Sequence, residues 1–214
     1  MKMNTKTIVA ILATATIVSF ASAQNLLQDG GFENGLTGWQ AFGNASQITY
    51  NPGAPNGPVP YAGNGELKEY GPFNGQDYGA SGVFQSLVAS AGQQYIGSGY
   101  MQNWSGDPMQ GNLAFLQVAF YDASGTQLSF FNSTTQIDNT TPTDVWNAMT
   151  TGVVTAPTNT ASVQFFVLFL QHPANTGGSA WADNVSLQAV PLPPAAIVLG
   201  LGALGLTVIR RRNA

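Results

Sequence analysis

The side chains that could do chemistry in this 214-residue chain are carboxylates, because the sequence has ten Asp and Glu residues, one His and no Cys. Without Cys there is no thiol catalysis, thiolate metal site or disulfide framework. His172 is the only His, so the sequence lacks the ligands of the usual zinc sites and offers little support for a Ser-His-Asp triad. The remaining options are acid–base catalysis by paired carboxylates, or binding of a hard cation through oxygen ligands.

Catalysis by paired carboxylates finds little support in the sequence. A glycosidase needs two carboxylates about 5 to 10 Å apart across a cleft, and no spacing in the chain indicates such a pair. Glu66 and Glu69 fall on opposite faces if their segment is a strand. We therefore expect a protein without enzymatic activity. The acidic residues available to an enzyme would be Glu66, Glu69, Asp77, Asp107, Asp122, Asp138 and Asp144.

The elements that must position these side chains are predicted to be β-strands. Short runs of Val, Phe, Tyr, Ile and Thr lie between Gly and Pro residues, a pattern typical of a single all-β sandwich or barrel. Residues 122–125, Asp-Ala-Ser-Gly, predict a hairpin turn, and no helix is predicted outside the two chain ends. The predicted strands are Ser81–Val88, Gln93–Gln102, Leu113–Tyr121, Ala148–Thr155, Ser162–Gln171 and Ala180–Gln188.

Alternation assigns faces to two of these strands. One face of 113–121 carries Ala114, Leu116, Val118 and Phe120. In 162–171 both faces are apolar, which indicates either a central strand or a second face that binds a ligand.

The N-terminal segment has the features of a secretory signal peptide. Lys2 and Lys6 precede an apolar stretch, 8–20, and Ala-Ser-Ala at 21–23 fits the cleavage rule, which leaves Gln24 first in the mature chain. The predicted organisation is a signal peptide at 1–23, one domain at 24–188 and a sorting segment at 189–214.

The C-terminal segment combines a Pro motif, an uncharged apolar run at 195–209 and three terminal arginines. From Val190 the apolar part is about 20 residues, long enough to cross a bilayer, with the arginines on the cytoplasmic side. The layout resembles the PEP-CTERM sorting signal of Gram-negative bacteria in its Val-Pro-Leu-Pro variant. The residues concerned are Val190, Pro191, Leu192, Pro193, Arg210, Arg211 and Arg212.

This resemblance implies a route and a location. The chain would pass through the export machinery, insert transiently in the inner membrane, and be cut by an exosortase-type membrane peptidase. It would then reside at the cell surface or in the extracellular matrix. A permanent single-span anchor is the alternative.

Between the two ends, Lys68 is the only basic residue, whereas all ten acidic residues remain. Such an acidic domain is a poor partner for nucleic acid or an anionic membrane. Divalent cations and neutral polymers are better candidates.

Several motifs across residues 25–187 resemble jelly-roll carbohydrate-binding modules, the galactose-binding-like domains found beside xylanases and glucanases. The resemblance implies a single jelly-roll β-sandwich that binds glycan without catalysis. The motifs are Asn25-Leu26-Leu27, Gly30-Gly31-Phe32-Glu33, Gly38-Trp39, Gly82-Val83-Phe84-Gln85, Gly92-Gln93-Gln94-Tyr95, Trp146 and Trp181-Ala182-Asp183-Asn184-Val185-Ser186-Leu187.

A structural calcium ion near both chain ends is a second implication of this resemblance, with Glu33 and Asp183 as ligands beside backbone carbonyls. Alternation independently places Asp183 on one face with Trp181, Val185 and Leu187. An ionised carboxylate at the edge of a core is costly unless it is paired or metal-bound. The alternative is that Asp183 accepts backbone N–H bonds at the start of its strand.

Glycan binding by such modules depends on exposed rings that stack on sugars and on amides that bind hydroxyls. Trp39, Trp146 and Trp181 are expected in the core. The predicted contacts are Tyr100, Gln102, Asn103 and Trp104, with an opposite wall from the loop-rich stretch 51–79, namely Tyr61, Tyr70, Phe73 and Tyr78.

The sequence thus favours an exported protein that binds extracellular polysaccharide. A calcium-stabilised matrix protein without a defined ligand pocket is the alternative function. Solvent-exposed rings gathered in one place would favour the former, and rings confined to the core would favour the latter.

Overall fold

The computed structural model describes residues 24–53 and 56–191. The predicted signal peptide lies outside the described residues, as does the sorting segment from Leu192 onward, which includes Pro193, Arg210, Arg211 and Arg212. The described residues contain no helix, and therefore none that is long and apolar enough to cross a membrane.

Ten β-strands form two five-stranded antiparallel sheets that pack as a sandwich. The first sheet has the order β1-β4-β9-β6-β7 and the second the order β2-β3-β10-β5-β8. The chain changes sheet at most connections, consistent with the predicted jelly roll. The strands are β1 (Gln40–Phe42), β2 (Asn44–Thr49), β3 (Gly65–Tyr70), β4 (Gly79–Val88), β5 (Gln94–Asn103), β6 (Leu113–Tyr121), β7 (Gln127–Asn132), β8 (Asn147–Thr155), β9 (Ser162–Gln171) and β10 (Ser179–Val190).

All six strands predicted from the sequence are present, and their ends differ by two residues at most. The hairpin turn is also confirmed, because β6 and β7 pair on either side of Asp122, whose backbone N–H donates to the Thr126 carbonyl. The bounds of β1, β2, β3 and β7 were not predicted. In particular, β3 lies within the stretch 51–79, which the sequence assigns to loops.

The core lies between the sheets and is built from the predicted inner faces. Leu116, Val118 and Phe120 of β6 and Phe165 of β9 are fully buried there. β9 is the central strand of the first sheet, and this position explains why both of its faces are apolar. Trp39 also lies in the core, as expected.

The prediction that Trp181, Asp183, Val185 and Leu187 share a face of β10 is wrong. The register between β10 and β5 shifts between Asp183 and Ser186, and Asn184 there adopts a left-handed backbone with φ 49°. This bulge inserts one residue and reverses the alternation. Val185 and Leu187 consequently face the core, whereas Trp181 and Asp183 face outward.

Val190, which the sequence assigns to the sorting signal, is the last residue of β10 and pairs with Gln94. The closing strand therefore continues two residues beyond the predicted domain end at 188.

Candidate functional site

The outer face of the second sheet carries a row of large side chains at the same level on adjacent strands. Trp181 of β10 is paired with Lys68 of β3 on one side and with Gln102 of β5 on the other. Trp181 and Gln102 are almost completely buried, although neither points into the core between the sheets. Something must therefore cover them from the outer side.

The cover is a loop and two Trp rings, which together enclose a groove of about 360 Å³. Trp104 meets the Trp181 ring edge to face at 5.6 Å between centroids. Trp146 donates its indole N–H to the Val59 carbonyl at 3.0 Å. Residues lining the groove are Tyr50, Gly57, Pro58, Val59, Gln102, Trp104, Asp144 and Trp146.

This arrangement corrects the expectation that Trp146 and Trp181 belong to the core. Trp181 is buried, but it forms the floor beneath the groove rather than part of the sandwich interior. Trp146 is half-buried in the groove wall. Trp181 faces outward because the bulge in β10 reverses the alternation of side chains. Trp146 lies outside the core because it precedes the first residue of β8.

Tyr100 and Tyr61, which the sequence assigns to opposite walls of a glycan site, contact each other directly. Their rings stack with centroids 3.5 Å apart and an interplanar angle of 14°. The Tyr61 ring also meets Trp146 edge to face at 6.2 Å. The pair therefore borders the groove at the level where Trp146 stands.

Lys68 lies beside Trp181, on the side of that ring away from Gln102. Its ammonium group is 3.2 Å from an Asp107 carboxylate oxygen, and it lies over the rings of Trp181 and Tyr70 at 5.3 and 5.7 Å from their centroids. Lys68, Tyr70, Phe73 and Asp107 also line an adjoining depression. Of the predicted opposite wall, Tyr61, Tyr70 and Phe73 therefore lie on this face of the sheet.

Two predicted contact residues lie elsewhere. The buried Asn103 amide donates to the carbonyls of Asp138 and Thr141 and accepts from the Met109 backbone N–H, so it holds loops together. Tyr78 lies next to the start of β4 in the first sheet, where its ring stacks on His172 at 4.1 Å. Neither residue lines the groove.

Beneath the groove lies a buried carboxyl group that the sequence did not single out for binding. Glu66 of β3 is fully buried, and neither of its carboxyl oxygens has a hydrogen-bond partner among the described residues. A Cβ added to Gly57 would lie 2.7 Å from a Glu66 oxygen and 2.5 Å from the Trp181 ring. Backbone of the groove wall thus passes directly over both side chains.

Burial is the main cause of the shifted pKa values of the two carboxyl groups near the groove, Glu66 and Asp183. Desolvation, with a smaller contribution from the charge of Asp183, raises the pKa of Glu66 to about 8. Desolvation also raises the pKa of Asp183 to about 6, opposed by backbone N–H bonds from Ala62 and Asn184 and reinforced by Glu33. Near neutral pH, Glu66 is therefore mainly protonated while Asp183 is mainly ionised.

Glu33 and Asp183, the predicted calcium ligands, approach each other on either side of Gly31. A Cβ at Gly31 would be 3.8 Å from the Glu33 Cγ and 3.9 Å from an Asp183 carboxylate oxygen. Oxygen-only donors of this kind suit calcium.

Both carboxylates already have backbone partners, however. Glu33 accepts N–H bonds from Asn64 and Gly65, and Asp183 accepts them from Ala62 at 2.8 Å and from Asn184. In residues 24–53 and 56–191, no group of three or more His, Asp or Glu side chains is placed to hold a metal ion. A calcium ion here would need backbone carbonyls as its other ligands, and its presence stays a prediction.

No protein-family model matches the sequence, and a search of the curated proteins finds no match. Solved structures do match, among them the CBM22-1 xylan-binding domain from Paenibacillus barcinonensis, at 18% identity and a TM-score of 0.53 over 81% of this chain and 99% of that domain. TmCBM61 in complex with β-1,4-galactotriose matches at 16% identity and a TM-score of 0.51, over 78% of this chain and all of that one.

Enzymes also contain this fold as a part. An arabinose-bound GH51 α-L-arabinofuranosidase matches at 22% identity and a TM-score of 0.55, over 78% of this chain but only 27% of the enzyme. At these identities the likeness shows the fold alone. The described domain is thus an all-β sandwich that shares its architecture with jelly-roll carbohydrate-binding modules.

Proposed function

We propose that this protein binds a neutral polysaccharide without catalysis, in the groove on the outer face of the second sheet. The observation that carries the proposal is the pair of Trp rings, Trp104 and Trp146, that wall a groove with Gln102 in its lining and Trp181 buried beneath it. Aromatic faces stack on the C–H surfaces of sugars, and an amide nearby can bind sugar hydroxyls. Three of the four Trp residues of the chain meet at this one place.

The charges around the groove favour a neutral ligand. Asp107 neutralises Lys68 in an ion pair, while Asp144 lines the groove and the buried Asp183 follows Trp181 by two residues on β10. A polymer with carboxylate or sulfate groups would be repelled by the remaining negative charge.

Burial of the nearest carboxyl pair supports the non-catalytic part of the proposal. Glu66 and Asp183 are both 0% exposed, whereas a glycosidase presents its two carboxyl groups to the bond that it cleaves. Among the solved structures that this chain covers almost completely are a xylan-binding domain and a module in complex with galactotriose.

The remaining parts of the proposal concern location and cofactor. We infer from the chain ends that the protein is exported and, after processing by an exosortase-type peptidase, retained at the cell surface or in the extracellular matrix of a Gram-negative bacterium. Its extracellular polysaccharide is then the natural ligand. A calcium ion held by Glu33 and Asp183 would connect the segment before β1 to β10 and act structurally.

Binding of the purified chain to a panel of neutral and acidic polysaccharides, with calcium and with chelator, tests the proposal. We expect saturable binding to a neutral glycan that Trp104→Ala abolishes while the circular dichroism spectrum is unchanged. Phe130→Ala is the matched control, because Phe130 is 54% exposed on β7 in the other sheet. Absence of binding to every glycan, with a melting temperature that falls in chelator, would favour the matrix-protein alternative.

A further inference from the structure

The outer face of the second sheet has a second depression beyond the Tyr61–Tyr100 pair. Its volume is about 420 Å³, and Tyr100 lines its edge. The sheet is hollow here because small side chains, those of Ser98, Ala148 and Ser186, occupy three adjacent strands. The bulge at Asn184 adds to the hollow by shifting β10 out of regular register.

The lining of this depression is polar but, among the described residues, uncharged. The hydroxyl of Ser98 and the amides of Asn184 and Gln188 contribute to it, and Ser186 lies in its wall. The Ser186 hydroxyl is buried and has no hydrogen-bond partner among the described residues. A buried hydroxyl without a partner is costly, whereas Ser98, Asn184 and Gln188 keep polar groups at the surface of the depression.

The depression and the groove lie on one line along β5. Gln102, Tyr100 and Ser98 alternate on the same face of this strand, so Gln102 in the groove and Ser98 in the depression are about 13 Å apart. That distance exceeds one sugar ring, and the Tyr61–Tyr100 pair lies between the two ends. A single extended ligand can therefore contact both.

We propose that this depression is a further subsite for a neutral glycan, in which Ser98 and Gln188 bind sugar hydroxyls, so that the protein prefers long chains to short oligomers. The inference rests on the proposed function, since it concerns the same ligand. It adds a length preference and a set of polar contacts on β5 and β10 that the aromatic groove does not supply.

Isothermal titration of the purified chain with β-1,4-linked xylo- and galacto-oligosaccharides, as trimers and hexamers, tests the inference. We expect the hexamer of the preferred series to bind about tenfold more tightly than the trimer, the effect of one or two additional net hydrogen bonds. Ser186→Leu fills the depression and should reduce hexamer affinity to the trimer level while leaving trimer affinity unchanged. Ser98→Leu, on the neighbouring strand, should do the same.

Ser86→Leu is the matched control, because Ser86 is exposed on β4 in the first sheet, and it should change neither affinity. Circular dichroism confirms that each variant is folded. Equal affinity of the wild type for trimer and hexamer, or folded Ser186→Leu and Ser98→Leu variants with undiminished hexamer affinity, would overturn the inference and leave the proposed function standing. Absence of binding by both lengths of both series would overturn the inference together with the proposed function.

Discussion

Replacement of Glu66 by Gln should stabilise the protein at neutral pH. The wild-type carboxyl group is fully buried without a partner, and its pKa rises from 4.5 to about 8 on folding. A carboxyl group whose pKa is raised in the folded state contributes full stability below its unfolded pKa, and that stability is lost as the pH rises towards the folded pKa. Gln keeps the shape of the neutral acid but cannot ionise in either state.

The loss amounts to about 1.4 kcal/mol for each pH unit between 4.5 and the pH of measurement, or roughly 3 kcal/mol at pH 7. Glu66→Gln should remove the part of the pH-dependent decrease in the free energy of unfolding that is due to Glu66. The variant and the wild type should therefore differ little at pH 4.5, and the variant should be more stable by up to that amount at pH 7. Asp183 and the buried Glu69, whose pKa values are also raised by burial, should give both proteins a residual decline.

Urea unfolding at several pH values, followed by Trp fluorescence, measures the two free energies of unfolding. Chelator is present throughout, because a cation near Asp183 would alter the charge that Glu66 faces. The measurement at pH 4.5 is the control for any change in packing caused by the amide. A stability difference that is the same at pH 4.5 and pH 7 would refute the argument, since it would show that Glu66 is not held neutral on folding.

Three further predictions concern the framework. Phe165→Ala, at a fully buried core position, should lower the free energy of unfolding by about 3 to 5 kcal/mol in urea unfolding; a loss below 1 kcal/mol would contradict the assignment of this ring to the core. Gly30→Ala should cost roughly 1 to 3 kcal/mol, because its Cβ would clash with the Val185 carbonyl oxygen; an unchanged melting temperature would disprove that close approach. If Glu33 and Asp183 hold calcium, the ion should raise the melting temperature of the wild type and have a much smaller effect on Glu33→Gln, as calorimetry can show, whereas an equal rise in both proteins would place the ion elsewhere.

The strands that the sequence predicted have strong β-forming side chains, and those that it missed do not. Leu113–Tyr121 and Ser162–Gln171 are rich in Phe, Val and Leu, and both were predicted with the bounds that the structure shows. β3 instead reads Gly-Glu-Leu-Lys-Glu-Tyr, with three charged residues in six. Charged side chains in a strand normally indicate exposure, yet Glu66 and Glu69 are both 0% exposed.

The candidate site was only partly predictable because it depends on the bulge in β10. Tyr100, Gln102 and Trp104 follow from their order along one strand and the loop after it. Trp181 could not be assigned to the groove floor, because a left-handed Asn184 is not detectable from alternation and reverses the faces on its two sides. The sequence likewise does not indicate that the Asn103 amide donates to loops that are distant in sequence.

The central claim, that glycan binds in the Trp-lined groove, can be tested by NMR on the indole N–H signals during titration with a neutral polysaccharide fragment. The chain has four Trp residues, of which Trp104 and Trp146 wall the groove and Trp181 lies beneath it, whereas Trp39 is in the sandwich core. The account predicts saturable shifts of the Trp104 and Trp146 signals and an unmoved Trp39 signal. Binding that leaves the Trp104 and Trp146 signals unmoved would contradict it.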